Sequence, residues 1–260
     1  MSIFQAIILG IVQGLCEFLP VSSSGHLVLL QRVFGIEEGA LFFNAMLHLG
    51  TLIAVCIYFR RTLWKMIRHP FSKYPMFVVL ATIPTVIMAL LFNDFIEEAF
   101  GGNFLGVCFL ITALFLFICS RIPKGRKTIK EMRWYDALII GGMQGLAIPP
   151  GISRSGSTIT GGLVRGFDQG FIAEFSFMMS IPAILGSAVL EFAKLPKSGL
   201  GDVTIPGLVF GILFAMISGF IAIKLVMDAI KKGKLGYFAV YCGVLGLLVI
   251  LDQTITHFFF

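Results

Sequence analysis

Six stretches of this chain, at about 41–59, 76–92, 104–119, 171–192, 205–227 and 237–251, are almost wholly apolar. A helix of ~20 such residues crosses the hydrocarbon of a bilayer, and the shorter runs reach that length by borrowing flanking residues. Only 13% of the 260 residues are charged while 57% are hydrophobic, which no water-soluble core of this size explains. The chain is therefore predicted to be an all-α integral membrane protein with a single membrane domain, 1–260. The opening "MSIFQAIILG" lacks the basic region and small-residue cleavage site of a signal peptide, so it is expected to remain as mature structure. Five cysteines lie in apolar runs with no CxxC spacing, which argues against disulfides and a zinc site.

Two further regions, about 3–35 and 136–167, are apolar but interrupted by Gly, Pro and Ser. Each is predicted to form a re-entrant helical hairpin of two half-helices rather than one crossing. Basic residues set the sides. One cluster holds Arg60, Arg61, Lys65, Arg68 and Lys73; a second holds Arg121, Lys124, Arg126, Lys127, Lys130 and Arg133; a third holds Lys224, Lys231, Lys232 and Lys234. Together they contain 15 of the 20 lysines and arginines, so all three are expected on the cytoplasmic side. The net charge of +6 is thus a topology signal and not a nucleic-acid surface. The acidic stretch with Asp94, Glu97 and Glu98 falls outside. Parity then requires the first hairpin to enter from the outer face and the second from the cytoplasm, with both termini outside.

This is an inverted-topology repeat, about 1–120 and 134–260, of one hairpin and three spans each. The sequence carries it independently. "GIVQGLCEFLPVSSSGH" (10–26) aligns without gaps on "GGMQGLAIPPGISRSGS" (141–157), with identities at Gly10/Gly141, Gln13/Gln144, Gly14/Gly145, Leu15/Leu146, Ser22/Ser153, Ser24/Ser155 and Gly25/Gly156.

Broken helices at the bilayer midplane must face protein or a water-filled cavity. After each break an apolar half-helix is expected to start, near His26 or Ser157, with its positive dipole end toward the break. Two such ends converging on one cavity suit an anion, phosphate above all. Arg154 is the arginine inside an apolar break, where a guanidinium is costly without an anionic partner, and its planar fork fits phosphate oxygens. Glu17 is the acid of the first arm, and Gln13 lies one turn earlier on the same helical face. These two charges could instead form a buried salt bridge that holds the halves together. Ser23 aligns with Arg154, placing an attacking hydroxyl opposite a phosphate clamp. His26, three residues on, is positioned to exchange a proton with the reacting group. His48 is expected to satisfy a carbonyl between spans. Ser22, Ser24, Ser153, Ser155 and Thr158 are expected to divide between capping half-helices and touching phosphate.

The motifs "QGLCEFLPVSSSGH" and "PGISRSGST" resemble those of the bacterial undecaprenyl-diphosphate phosphatase family, also called the bacitracin-resistance protein. Its (E/Q)xxxE signature corresponds to Gln13–Glu17, PVSSxGH to Pro20–His26, and PGxSRSxxT to Pro150–Thr158. The resemblance implies a multi-pass enzyme of the bacterial cytoplasmic membrane whose site opens to the periplasmic side. It would hydrolyse undecaprenyl diphosphate to the monophosphate, recycling the lipid carrier of peptidoglycan synthesis. It also implies a divalent cation, Mg2+ or Ca2+, held in part by Glu17; many members carry Glu where this chain has Gln13. On this reading Glu17, Ser23, His26 and Arg154 are catalytic. Gln13, Ser22, Ser24, Ser153, Ser155 and Thr158 bind the prenyl diphosphate headgroup, and membrane lipid surrounds the protein. A homodimer is compatible with the chain. The competing reading is a polyprenyl-phosphate flippase, because inverted repeats with midplane breaks are also a transporter architecture. A membrane scaffold would leave Glu17 and Arg154 unexplained.

Overall fold

The computed structural model describes residues 1–36, 40–193 and 203–259, without the side chains of Glu97 and Lys231. The parts of the acidic stretch and of the third basic cluster that rest on those two side chains thus lie outside the described residues. The chain folds into helices α1 (Ile3–Phe18), α2 (Ser23–Phe34), α3 (Ala40–Tyr58), α4 (Arg60–Arg68), α5 (Lys73–Leu91), α6 (Asn93–Phe100), α7 (Leu105–Arg121), α8 (Trp134–Leu146), α9 (Arg154–Val164), α10 (Gln169–Ala193), α11 (Ile205–Lys231) and α12 (Leu235–Leu251). Among the described residues the one strand-like feature is an isolated bridge between Lys127 and Phe167.

Five helices are long and apolar enough to cross a bilayer: α3, α5, α10, α11, and α12 with the helical turn that continues it. A sixth candidate is α7 taken with α6, joined at a bend of 103°. The outward side chains are apolar, among them Val79, Leu90, Val189 and Leu247, as a lipid-facing surface demands. The fold is that of an all-helical, multi-pass membrane protein. The first basic cluster partly folds into α4, which buries none of its residues.

Both interrupted regions break where the sequence places Pro and Ser. Leu19, ahead of Pro20, has extended backbone (φ −61°, ψ 136°), as the proline ring requires of its predecessor, and α1 stops there. The second half-helices begin about one turn earlier than their expected starts near His26 and Ser157. Ser22 Oγ accepts the Gly25 N–H at 3.3 Å and Ser153 Oγ accepts the Gly156 N–H at 3.1 Å, so α2 starts at Ser23 and α9 at Arg154. Each cap satisfies an N–H that would otherwise be stranded at the helix start.

Packing fixes the position of these breaks within the helix bundle. α1 lies along α11, α8 along α5, α3 beside α10 and α7 beside α12. The contacts of α1 and α8 are backbone-close. A Cβ on Gly14 would come within 2.5 Å of the Ala215 carbonyl oxygen, and one on Gly10 or Gly141 would run into the carbonyl of Gly211 or Ala81. Only glycine lets these helices approach so nearly.

Candidate active site

The two breaks touch. Gly151 N–H donates to Ser22 Oγ at 3.0 Å, and a Cβ on Gly25 would lie 2.8 Å from Gly151 Cα. Gly151 itself sits at φ +95°, a conformation glycine adopts without strain. From α7, Thr112 clamps the second break: its hydroxyl donates to Gly151 O at 2.7 Å and accepts the Ser153 N–H at 2.8 Å. Ser22 holds φ +69°, a region a non-glycine residue enters at a cost of about 1–3 kcal/mol. Its two accepted bonds, one to its own helix and one across the junction, stabilise it there.

At this junction four donors from four helices converge on one carboxylate. Glu17 Oε1 accepts Arg154 Nη2 at 2.6 Å. Glu17 Oε2 accepts Ser23 Oγ at 2.6 Å and Gln13 Nε2 at 3.0 Å, and lies 3.3 Å from His48 Nε2. The Glu17 side chain is 6% exposed, whereas those of Arg154 and His48 keep 17% and 22% of their surface, so the cluster opens on the Arg154–His48 side. Such a carboxylate is held by charge-assisted hydrogen bonds, the strongest kind available to a side chain. Arg154 Nη1 also donates to Ser176 O on α10 at 3.2 Å. Its remaining N–H groups have no hydrogen-bond partner among the described residues, so the guanidinium has donors to spare for an anion.

The salt bridge that the sequence allowed between Glu17 and Arg154 is present, and Ser23 shares its carboxylate. His26 faces elsewhere. Its Nδ1 lies 2.7 Å from Ser22 O, so that nitrogen carries the proton, and its Nε2 lies 2.7 Å from Tyr241 Oη. The imidazole stacks on Tyr241 and meets Phe109 edge-on, at centroid distances of 5.7 and 5.4 Å. With Nε2 bare, the Tyr241 hydroxyl donates to it.

The other serines and Thr158 are resolved as follows. Ser22 and Ser153 are helix caps, with Ser24 Oγ 3.4 Å from the first and Ser155 Oγ 3.3 Å from the second. Thr158 Oγ1 donates to Arg154 O at 2.9 Å and lies 2.6 Å from Ser176 Oγ, locking α9 to α10 beneath the guanidinium. Gln13 orients its amide by donating to Glu17, which leaves its buried Oε1 without a partner.

Sequence reasoning did not reach Tyr241, Ser176 or the full part played by His48. His48 Nδ1 does satisfy a carbonyl, at 2.7 Å, but it is that of Asn44 on its own helix α3 and not one between spans, and the other nitrogen faces Glu17. A signal existed in the residue itself: an imidazole in an apolar span has two nitrogens to satisfy, and one carbonyl accounts for only one. Tyr241 and Ser176 carry no local motif, and only the fold brings them in.

Residues 6–248 match the family described as bacitracin resistance protein BacA. An undecaprenyl-diphosphatase of Carboxydothermus hydrogenoformans is 44% identical over 99% of this chain and 100% of its own length. Undecaprenyl-diphosphatase 4 of Bacillus thuringiensis strain Al Hakam is 42% identical over the whole of both chains. An undecaprenyl-diphosphatase of Alkaliphilus metalliredigens is 41% identical over 96% of this chain and 98% of its own. With both polar breaks and nearly the full length inside the matched region, the chain belongs to the bacitracin resistance protein BacA family.

Proposed function

We propose that this protein is an undecaprenyl-diphosphate phosphatase, releasing inorganic phosphate and the lipid monophosphate that carries peptidoglycan precursors. One observation carries the reading. A hydroxyl from one break and a guanidinium from the other are held on the same buried carboxylate, at 2.6 Å each. An anion arriving on the Arg154–His48 side meets free guanidinium donors, the α2 and α9 N-termini, and an oxygen nucleophile already bonded to a base.

The chemistry follows in two steps. Ser23 Oγ attacks the terminal phosphorus as its proton passes to Glu17 Oε2; a P–O bond forms to serine, and the bridging P–O bond breaks to release the prenyl monophosphate. Glu17 gives that proton to the departing monophosphate; water then attacks the phosphoserine, Glu17 takes the water proton and returns it to Ser23 Oγ as the serine P–O bond breaks, and inorganic phosphate leaves. Arg154 exchanges part of its bond to Glu17 for the phosphate oxygens and stabilises the equatorial charge of the transferring phosphoryl group. His26 has both ring nitrogens engaged, so any proton it exchanges with the diphosphate passes through the Tyr241 hydroxyl on its Nε2. The prenyl tail rests against the apolar helices.

The donor set fits a divalent cation in one way. Gln13 Oε1, which has no partner, and Glu17 Oε1, once Arg154 turns to the phosphate, would supply two oxygens, and a hard cation such as Mg2+ or Ca2+ would take its remaining ligands from phosphate and water. When bound it would add to the charge neutralisation that Arg154 provides.

The wider architecture in this reading is an inverted repeat of six spans and two re-entrant hairpins. Its support is the exchange of partners: α1 on α11 answers α8 on α5, Gly10 answers Gly141, and Ser22 answers Ser153 as caps. The basic clusters then face the cytoplasm, and both termini and the site mouth face the outer side of the bacterial cytoplasmic membrane. The same architecture favours a flippase as the second reading. Purified protein in detergent, given a prenyl diphosphate, distinguishes them: the phosphatase releases inorganic phosphate and Arg154→Gln does not. A flippase releases none, and that result would end the proposal.

A further inference from the structure

A cavity with a basic lining lies on the face where α5 and α8 begin. It has a volume of about 500 Å3 and is lined by Lys73, Lys127, Lys130, Glu131, Arg133 and Asp136. Its two carboxylates are already engaged. Glu131 Oε2 accepts the Thr128 N–H at 2.8 Å and its hydroxyl at 2.9 Å, and the N–H holds the Glu131 carboxyl below the usual carboxylate range. Asp136 accepts the Arg133 N–H at 2.8 Å and Arg165 Nε at 2.8 Å.

The four cations are not neutralised in the same way. Lys73 Nζ donates to Lys130 O at 2.7 Å and Lys127 Nζ to Arg165 O at 2.9 Å, but a carbonyl satisfies a proton without cancelling a charge. The ion pairs among the described residues are His48–Glu17, Arg154–Glu17 and Arg165–Asp136, and none includes Lys73, Lys127, Lys130 or Arg133. Two helix N-termini add to the field: α5 starts at Lys73 with no side-chain cap from Ser72, and α8 starts next to Arg133. Beside these residues Phe71 and Trp134 are 90% and 62% exposed, the placement of aromatic side chains at a membrane–water boundary.

We propose that this cavity binds the phosphate of an anionic membrane lipid, its acyl chains lying along the apolar surface next to Trp134. In this recess four basic side chains face one carboxylate, Glu131, that forms no ion pair among the described residues, so the net charge stays positive and suits a phosphate headgroup, and the exposed aromatic rim selects a lipid over a soluble anion. The site is separate from the Glu17–Arg154 cluster, so its fate does not depend on the phosphatase reading.

The test is native mass spectrometry of the full chain in detergent, titrated with phosphatidylglycerol or with phosphatidylcholine. The wild type should retain one phosphatidylglycerol and no phosphatidylcholine. Lys130→Gln with Arg133→Gln should weaken retention about tenfold or more, since each basic side chain near a lipid surface contributes measurably. Lys73→Gln should weaken it independently. Arg60→Gln with Arg61→Gln, which removes the same charge from α4, should leave retention unchanged. Equal loss from the α4 variant would show a general surface effect and overturn the proposal. So would full retention by the Lys130/Arg133 variant, or displacement of the lipid by low-millimolar inorganic phosphate, which would assign the cavity to a free anion.

Discussion

Removing the charge of Glu17 separates a catalytic carboxylate from one that only staples the two breaks. Glu17→Gln keeps the side-chain volume but leaves Arg154 at 17% exposure without its anion, and Ser23 without its 2.6 Å acceptor. Breaking one partner of such a pair costs about 3–5 kcal/mol of stability, because the surviving charge stays desolvated. Losing the base lowers turnover by a further 10²–10⁴-fold, the usual contribution of general-base catalysis. Arg154→Gln alone should destabilise through the same uncompensated charge. The double replacement of Glu17 and Arg154 by Gln leaves no stranded charge, so most of the lost stability should return while activity stays absent. The pair is in direct contact, and non-additivity of ~1–3 kcal/mol in the cycle is the expected signature. Thermal unfolding in detergent reads stability, and phosphate release from a prenyl diphosphate reads activity. If activity returned together with stability in the double variant, the salt bridge would be structural and the catalytic assignment of both residues would fall.

Three further outcomes follow from individual contacts. Tyr241→Phe deletes the hydroxyl that donates to His26 Nε2 at 2.7 Å, and should lower kcat about fivefold, the worth of ~1 kcal/mol, with KM nearly unchanged; an unaltered kcat would remove Tyr241 from the site. Gly14→Ala places a methyl within 2.5 Å of the Ala215 carbonyl, so α1 must shift away from α11; a loss of about 1–3 kcal/mol in unfolding free energy, with falling activity, is expected. Gln13→Glu sets a second carboxylate where an amide now donates to Glu17 at 3.0 Å, so a divalent cation should be held more tightly and a higher EDTA concentration should be needed to halve phosphate release; an unchanged EDTA midpoint would remove residue 13 from the cation site.

Much of this site was legible in the chain because membrane chemistry leaves few reasons for polar residues at depth. Glu17 and Arg154 stand out by cost and Ser23 by its alignment with Arg154, and the structure bonds Ser23 and Arg154 to the Glu17 carboxylate. The glycine pairs Gly10/Gly141 and Gly14/Gly145 were visible as identities, but their purpose, close approach to α11 and α5, depends on which helix lies opposite. Helix starts were misjudged by about one turn because hydropathy marks the apolar run, whereas the Ser22 and Ser153 side chains set where the backbone turns helical. The six apolar runs became five long helices and one bent pair because α7 is 17 residues long and turns through 103° into α6. His26 was read by its spacing from Ser23, and spacing says nothing of a tyrosine arriving from α12.

The measurement that bears most directly on the account is capture of the transferred phosphoryl group. Enzyme mixed with prenyl diphosphate labelled at its terminal phosphorus, quenched in acid within one turnover and mapped by peptide mass spectrometry, should carry the label on Ser23 alone, and Arg154→Gln should carry none. Label on another residue, or full turnover by Ser23→Ala, would contradict the claim that the two breaks meet to pass a phosphoryl group to that serine.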